Sequence, residues 1–204
     1  MAHDPGTTFQ YDSLGSHLLS VILERVTSMS TTLFAHEVLF KPLGIWTDEM
    51  PRFLWRTGHG GPHNFQPRGV WDEETGLPWW VDGEGHTTGW GGLHLTVREL
   101  AKFGYLYLNG GAWDGAQVVP YDYVGESVRP QNDGGPGPEP EATPYGYLWW
   151  MPRGAPGMYY GWGSGRQYVY VVPELDLVVA ITAHLGRNDP ARIVKRFIIP
   201  SVTC

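Results

Sequence analysis

The sequence predicts an α+β fold: a helical cluster, then an antiparallel β-sheet that a C-terminal helix covers. Apolar residues recur every four positions near the start of the 204-residue chain, as they do along one face of a helix. Residues 144–183 instead hold short runs of β-branched and aromatic residues, which are typical of strands. A last helical pattern follows these runs. Helices, then strands, then a helix is an α+β order.

The first helix is predicted from the apolar stripe Leu14, Leu18, Ile22 and Val26, with Ser13 as its N-cap. A second helix is predicted over residues 32–40. It should end before Lys41-Pro42, because the residue that precedes a proline is pushed out of helical geometry.

Residues 46–90 are rich in Gly, Pro, Trp and His, and no helical or strand period persists there. We expect an ordered, aromatic-rich loop, because disordered segments are poor in aromatic residues. Helical order returns at Thr96, which forms a capping box with Glu99. The helix that this box opens should end at Asn109-Gly110-Gly111, since asparagine and glycine tolerate the left-handed backbone of a C-cap.

The second half of the chain begins with a short helical piece through residue 128, and residues 131–143 are predicted to form an exposed loop. Strands are predicted at 145–151, 159–160, 167–172 and 177–183. Pro173-Glu174 should turn the last two into a hairpin.

A C-terminal helix is predicted from Asp189-Pro190, with an apolar side formed by Ile193, Val194, Phe197 and Ile198. We therefore expect one partial domain over residues 1–204. Its helical part would span 11–130, and its sheet and last helix 144–204.

The composition excludes several classes of protein. Hydrophobic residues make up 42% and charged residues 17%, so the chain can bury a core. The net charge of −7, with lysine only at Lys41, Lys102 and Lys195, argues against a nucleic-acid or anionic-membrane surface. The single cysteine, Cys204, excludes an internal disulfide. No apolar run is long enough to span a bilayer, no signal-peptide pattern is visible, and the compartment stays open.

Several segments occur in an order and spacing that point to one family. Tyr11-Asp12-Ser13 precedes a helix that is followed by Lys41-Pro42-Leu43-Gly44. Gly91-Gly92-Leu93 precedes the capped helix at Thr96, and Gly163-Ser164-Gly165 precedes a strand. Together they resemble the serine β-lactamase-like hydrolases: class C β-lactamases, DD-peptidases and related esterases and amidases. The resemblance implies a partial β-lactamase/transpeptidase-like fold.

Two motifs depart from the family pattern. The usual Tyr-x-Asn reads Tyr-Asp-Ser here, and the usual Lys-Thr-Gly reads Gly-Ser-Gly. Because Gly163 replaces the lysine that β-lactamases direct at the substrate carboxylate, β-lactam turnover is disfavoured. A neutral ester or amide is the expected small-molecule substrate.

The resemblance assigns roles by chemistry. In this family a serine attacks a carbonyl after a lysine one helical turn away and a tyrosine have taken its proton. Free tyrosine has a pKa near ~10, so such a tyrosine needs a neighbouring cation to act as a base. Tyr11 would be this proton relay, Ser13 and Ser164 would supply hydroxyls, and the backbone N–H of Arg166 would stabilise the oxyanion. Gly165 would allow close backbone approach. No cofactor is implied.

Substrate contacts are assigned to Trp90 and Trp162, which glycines flank, and to His86. A plainer interpretation stands beside each role. Tyr11 could be a core tyrosine, Ser13 a helix cap, and His86 a hydrogen-bonded loop histidine. We expect core packing to account for most of the other tryptophans.

The nucleophile motif itself is not in this sequence. The residues three positions before the three lysines are Val38, Glu99 and Arg192, so no Ser-x-x-Lys exists. We expect the chain to be the C-terminal part of a longer hydrolase, without covalent-serine activity of its own. The alternative is a complete protein that has lost its nucleophile.

Two further expectations complete the analysis. A metal site is not expected, because His59, His63, His86 and His94 follow no metal-ligand spacing. The function from another class is a non-catalytic ligand-binding domain that uses the Trp- and Tyr-rich loops. If the N-terminal elements of the family are absent, the sheet should expose an unpaired edge and apolar surface, which favours self-association.

Overall fold

The structure, a computed structural model, describes residues 3–4, 6–45, 79–135, 143–152, 155, 157–183 and 190–202. It contains the helices and antiparallel strands of the predicted α+β fold. The chain divides into two compact units. We call Met1–Tyr11 with Leu95–Cys204 the sheet unit, and Asp12–His94 the helical unit. Most of the predicted aromatic loop, residues 46–78, lies outside the described residues.

The sheet unit is built around a three-stranded antiparallel sheet. Its strands are β5 (Tyr159–Gly163), β6 (Gln167–Val172) and β7 (Leu177–Ile181), in the order β5-β6-β7. A 3-10 turn at Pro173–Leu175 joins β6 to β7, which confirms the predicted hairpin. Among the described strands, β7 pairs only with β6.

Helix α3 (Val97–Leu108) covers one face of this sheet. The predicted capping box of Thr96 and Glu99 is present, and the helix ends at the predicted C-cap, Asn109. A Cβ atom on Gly104 would lie 2.7 Å from side-chain atoms of Val169 and Val178. Glycine therefore lets the helix pack closely on β6 and β7.

The C-terminal helix covers the other face. It runs through Ala191–Ile193, a π-helical segment Val194–Ile198, and Ile199–Val202. Val194 is fully buried in a cluster with Tyr160, Tyr168 and Tyr170, and Ile198 packs against this cluster. The predicted apolar side is only partly right, because Ile193 and Phe197 are exposed. Residues four apart share a helix face, so these two lie on the neighbouring face.

Two segments of the sheet unit differ from the prediction. The strand predicted over 145–151 does not continue past Tyr145, because Leu148 has a left-handed φ of 67°. Only isolated bridges remain, Tyr145 with Trp150 and Trp150 with Tyr160. Within the predicted loop 131–143, β3 (Asn132–Gly135) pairs with β4 (Thr143–Tyr145).

The residues between β3 and β4, 136–142, lie outside the described part. A small hairpin of β1 (Ala112–Trp113) and β2 (Ala116–Gln117) precedes α4 (Tyr121–Ser127). Helix α4 corresponds to the short helical piece that the sequence predicts through residue 128.

The helical unit begins with α1 (Ser13–Thr27). Its N-cap is Asp12, not Ser13 as predicted, because Asp12 is extended and its carboxylate accepts a hydrogen bond from the Leu14 N–H at 2.9 Å. Helix α2 (Thr31–Ala35) continues as a π-helical segment, His36–Phe40, and ends where the proline rule predicted.

No single described helix is long and apolar enough to cross a membrane. Taken together, α1 and the segment Thr31–Phe40 have the length and apolar composition of a membrane span, but the two are bent by 80° relative to each other.

Candidate functional site

Aromatic contacts hold Tyr11 in the sheet unit. Its ring stacks on that of Trp150 with centroids 5.7 Å apart, and its edge meets Tyr145 at 6.3 Å. Tyr145 contacts Phe9 at 5.3 Å, and burial with the neighbouring Tyr11 raises the pKa of Tyr145 to about 12. The Tyr11 side chain stays 48% exposed, so one side of it is open to solvent.

Trp150 connects Tyr11 to the central sheet. The Trp150 N–H donates to the Tyr160 carbonyl at 2.9 Å, and the Tyr160 N–H donates back at 2.8 Å. Strand β5 continues from Tyr160 to Gly163, about 10 Å at ~3.3 Å per residue, and leads into Ser164. Tyr11 and Ser164 therefore belong to one unit. The sequence had placed Tyr11 on the helical side, but its ring packs on Trp150.

The turn between β5 and β6 carries three of the predicted site residues. Gly163 pairs with Gln167, so Ser164, Gly165 and Arg166 form a three-residue turn. Gly165 has φ 78° and Arg166 has φ 70°. The left-handed backbone is easy for glycine and strained for arginine. The turn leaves Ser164 exposed.

Gln167 was missed by sequence reasoning, although its side chain braces this turn. Its Nε2 donates to the carbonyls of Ala183 (2.6 Å) and Gly165 (3.3 Å), and its Oε1 accepts from the Ala183 N–H at 3.1 Å. The amide continues the β6–β7 ladder just past the end of β7. A glutamine at the start of a strand carries no sequence signal for such a contact.

The described tryptophans differ in their exposure to solvent. Trp149 and Trp150 are buried, whereas Trp90 and Trp162 are 43% and 41% exposed. Trp162 lies in β5 of the sheet unit, and Trp90 packs edge-on against Trp80 in the helical unit. Both have free aromatic surface, which a pocket wall requires.

His86 is paired with a carboxylate. Its Nδ1 lies 2.6 Å from Oε2 of Glu24, whose Oε1 accepts from the N–H groups of Thr31 and Thr87 at 3.1 and 3.0 Å. The hydrogen bond to Glu24 raises the pKa of His86. Burial alone would raise the pKa of Glu24, but these hydrogen bonds together lower it. The imidazole thus links α1 to the loop at residues 79–94. This agrees with the plainer interpretation of His86 as a hydrogen-bonded loop histidine.

A second cluster in the helical unit has the composition of a catalytic triad. Nε2 of His17 lies 3.0 Å from Asp82, and Nδ1 of His17 lies 3.4 Å from the Ser20 hydroxyl. The pKa of Asp82 would be raised by burial, but hydrogen bonds from the His86 and Glu84 N–H groups and from His17 lower it.

Ser20, however, is placed as a structural residue. It is only 5% exposed, and its hydroxyl contacts the carbonyls of His17 and Thr87, both at 2.7 Å. Nδ1 of His17 also accepts from the Gly89 N–H at 3.4 Å, so the Ser20 hydroxyl is not its sole contact. A buried serine whose proton is committed to backbone carbonyls cannot reach a substrate. The cluster of His17, Ser20 and Asp82 holds α1 against the loop at residues 79–94.

The remaining predicted residues add little chemistry. Ser13 is the first residue of α1. Within the described ranges no three His, Cys, Asp or Glu side chains converge on a metal-binding point. His59 and His63 lie outside those ranges. Burial lowers the pKa of His94, which packs 6.0 Å from Trp80.

Comparison with known proteins gives a family and a fold. A model of the β-lactamase family, described as "Beta-lactamase", matches residues 1–201. No curated protein matches the chain. One similar solved structure is a Bacillus anthracis protein named as a 6-aminohexanoate-dimer hydrolase, with a TM-score of 0.67 and 21% identity. Another is the octameric penicillin-binding protein homologue from Pyrococcus abyssi, with a TM-score of 0.67 and 20% identity.

Coverage is asymmetric in both structures. The matches include 97% and 98% of this chain but only 44% of each matched protein. The chain therefore has a partial β-lactamase/transpeptidase-like fold that spans less than half the length of these two proteins.

Proposed function

The chain belongs to the β-lactamase family, and we propose that it forms the substrate-facing part of a serine hydrolase, a carboxylesterase or amidase, that works through an acyl-enzyme. The β-lactamase family is generally hydrolytic. The nucleophilic serine and its lysine would come from polypeptide outside residues 1–204, because no Ser-x-x-Lys occurs within them.

The observation that carries the proposal is the link between Tyr11 and Ser164. Tyr11 stacks on Trp150, Trp150 is hydrogen-bonded to β5, and β5 leads into the Ser164 turn. Tyr11 and Ser164, the two proposed site positions, thus lie in one compact unit although they are 153 positions apart in sequence, the difference between residue numbers 164 and 11.

The proposed chemistry assigns one step to each group. Tyr11 passes the proton from the attacking serine hydroxyl to the leaving group, and its half-exposed ring is open for this. Ser164, and Ser13 near Tyr11 in sequence, offer hydroxyls to the substrate. The Arg166 N–H, fixed by the turn that Gln167 braces, donates to the oxyanion.

The substrate is proposed to be a neutral ester or amide. Gly163 offers no positive charge to a substrate carboxylate, and Gly165 leaves room for the substrate beside the strand. Trp162, in the same unit as Ser164, is the proposed contact with the rest of the substrate. The substrate roles of Trp90 and His86, which lie in the helical unit, stay predictions from the sequence. One structural neighbour is named for a 6-aminohexanoate dimer, so amides should be tested beside esters.

The test compares residues 1–204 with the same chain extended through the upstream reading frame. With p-nitrophenyl acetate and a p-nitroanilide, the extended chain should show a stoichiometric burst and residues 1–204 none. In the extended chain, Tyr11→Phe should slow acylation by roughly 10²–10⁴-fold, as loss of a proton-transfer group does. Tyr121→Phe, at an exposed tyrosine outside the proposed site, should leave the rate unchanged.

Either of two results would refute the proposal. One is a burst from residues 1–204 that maps to a serine within them. The other is an extended Tyr11→Phe enzyme as fast as the parent. The alternative function, a non-catalytic ligand-binding domain, rests on the exposed faces of Trp90 and Trp162. It would be favoured if the extended chain bound saccharides or peptides and hydrolysed no ester or amide.

A further inference from the structure

Helix α1 reverses the usual orientation of an amphipathic helix. Its polar residues Ser20, His17 and Glu24 face the loop 79–94, where they are hydrogen-bonded. Five of its large apolar side chains are exposed to solvent. We call these the outer stripe: Leu14 (68% exposed), Leu18 (61%), Leu19 (58%), Ile22 (55%) and Val26 (79%). A helix that stabilised only this unit would bury such residues instead.

The stripe has the dimensions of a helix-packing surface. Leu14, Leu18, Ile22 and Val26 are spaced four residues apart and form a row about 18 Å long at ~1.5 Å per residue. Gly15 lies beside the row, and a Cβ atom there would meet only the Asp12 carboxylate, at 3.9 Å. Among the exposed residues of α1, Arg25 alone is charged.

A contiguous apolar surface of this kind marks an interaction site. The i, i+4 row and the gap at Gly15 fit the ridges of a second helix. The partial coverage indicates where that helix comes from. The chain spans 44% of each matched structure, so more than half of the length of the complete fold has no counterpart in residues 1–204.

We propose that the outer stripe is the docking surface for an apolar helix of the polypeptide that completes this hydrolase and supplies its nucleophile. This inference rests on the proposed function. Docking would bury the stripe against side chains of matching character and leave the polar side of α1 as it is. The same contact would bring the two parts of the enzyme together.

The experiment measures how accessible the stripe is in both forms of the chain. In a Cys204→Ser background, Leu18→Cys reports on the stripe, and Glu84→Cys, at an exposed residue of the same unit, is the matched control. Both cysteines should react with a maleimide at similar rates in residues 1–204. In the extended chain, Leu18→Cys should react at least about tenfold more slowly, because burial protects it, and Glu84→Cys should not change.

Each other outcome has a defined meaning. Equal rates for Leu18→Cys in both forms would overturn the docking inference while the burst assay still decides the proposed function. If the DNA upstream of Met1 held no open reading frame in phase with this chain, both the docking inference and the proposed function would be overturned. Slow labelling in residues 1–204 alone, with a dimer in sedimentation equilibrium that Leu18→Lys dissociates, would make the occupant a second copy and overturn the inference.

Discussion

The two units of this chain differ in the balance of apolar and hydroxyl-bearing side chains that they bury. The sheet unit buries aromatic and branched side chains, with Tyr160, Tyr170 and Val171 at 0% exposure. The helical unit buries hydroxyl groups, with Thr32 and Thr87 at 0% exposure. The sheet unit gains its stability mainly from apolar area removed from water. The helical unit buries apolar side chains such as Leu43 and Ile45 as well, and it depends in addition on hydrogen bonds among its buried hydroxyl groups.

Thr87 shows how complete this bonding is. Its N–H donates to Glu24, and its hydroxyl contacts the hydroxyl of Thr32 at 3.0 Å and accepts from the Thr32 N–H. Its carbonyl accepts from Ser20. Because a buried polar group without a partner is costly, the helical unit should be sensitive to charge and exact geometry. The sheet unit should be sensitive to lost volume.

The largest effect should come from removing volume in the sheet unit. Trp150→Ala deletes a side chain that is 3% exposed and that supports Tyr11 and Tyr145. We expect a loss of about 3–5 kcal/mol in the free energy of unfolding, measured by urea denaturation, as for other buried aromatic residues.

The control for this variant is Trp162→Ala, since Trp162 is 41% exposed. It should cost less than about 1 kcal/mol. Equal losses for the two tryptophans would contradict the assignment of Trp150 to the core.

A smaller, pH-dependent effect is expected in the helical unit. Glu24 has a pKa below its ordinary 4.5, so its contribution is present above pH 4.5 and is lost as the pH falls further. His86 has a pKa above its ordinary 6.5, so its contribution is present below pH 6.5 and is lost as the pH rises through the raised value. The pair should therefore stabilise most between pH 4.5 and 6.5.

Hydrogen exchange of the Thr31 and Thr87 amides between pH 4 and 9, corrected for intrinsic rates, measures this dependence. Glu24→Gln should abolish the maximum and cost about 1.5–3 kcal/mol within it, the range for hydrogen bonds to charged groups. Amides of β6 should show no matching change. A pH profile that Glu24→Gln leaves intact would show that other groups govern it.

The smallest effect concerns backbone approach in the helical unit. A Cβ atom on Gly89 would collide with the backbone carbonyl of Ser16, so Gly89→Ala must push the loop away from α1. We expect a loss of about 1–2 kcal/mol in local stability, measured by exchange of the Gly89 amide and its neighbours.

Gly91 offers a matched control two residues away. A Cβ atom there meets nothing within 4 Å, so Gly91→Ala should change stability by less than about 0.5 kcal/mol. Similar losses at both glycines would point to chain flexibility instead of the contact with Ser16.

Sequence reasoning succeeded where the signal is local. The capping box at Thr96, the end of a helix before Lys41-Pro42 and the hairpin around Pro173 all depend on residues close in sequence, and the structure confirms them. It failed at Asp12, which competed with Ser13 for the same cap, and at Leu148, whose left-handed backbone interrupts an otherwise strand-like run.

The candidate site was only partly within reach of the sequence. The order of motifs indicated Tyr11 and the turn at Ser164, and both lie in the sheet unit, where Tyr11 stacks on Trp150. The brace formed by Gln167 and Ala183 could not be found, because it joins residues 16 apart through a side-chain amide. The ion pair of Glu24 and His86 joins residues 62 apart.

By itself the sequence determined the α+β order, the family motifs and the lack of Ser-x-x-Lys, because periodicity, capping and short motifs are written in neighbouring residues. Only the tertiary structure decided which side of α1 faces inward. From hydropathy alone, the apolar stripe of that helix is predicted to be buried. Yet hydrogen bonds to residues 82–89 hold its polar side inside and leave Leu14, Leu18 and Leu19 exposed. Burial depends on which partners are available, and those partners are far apart in sequence.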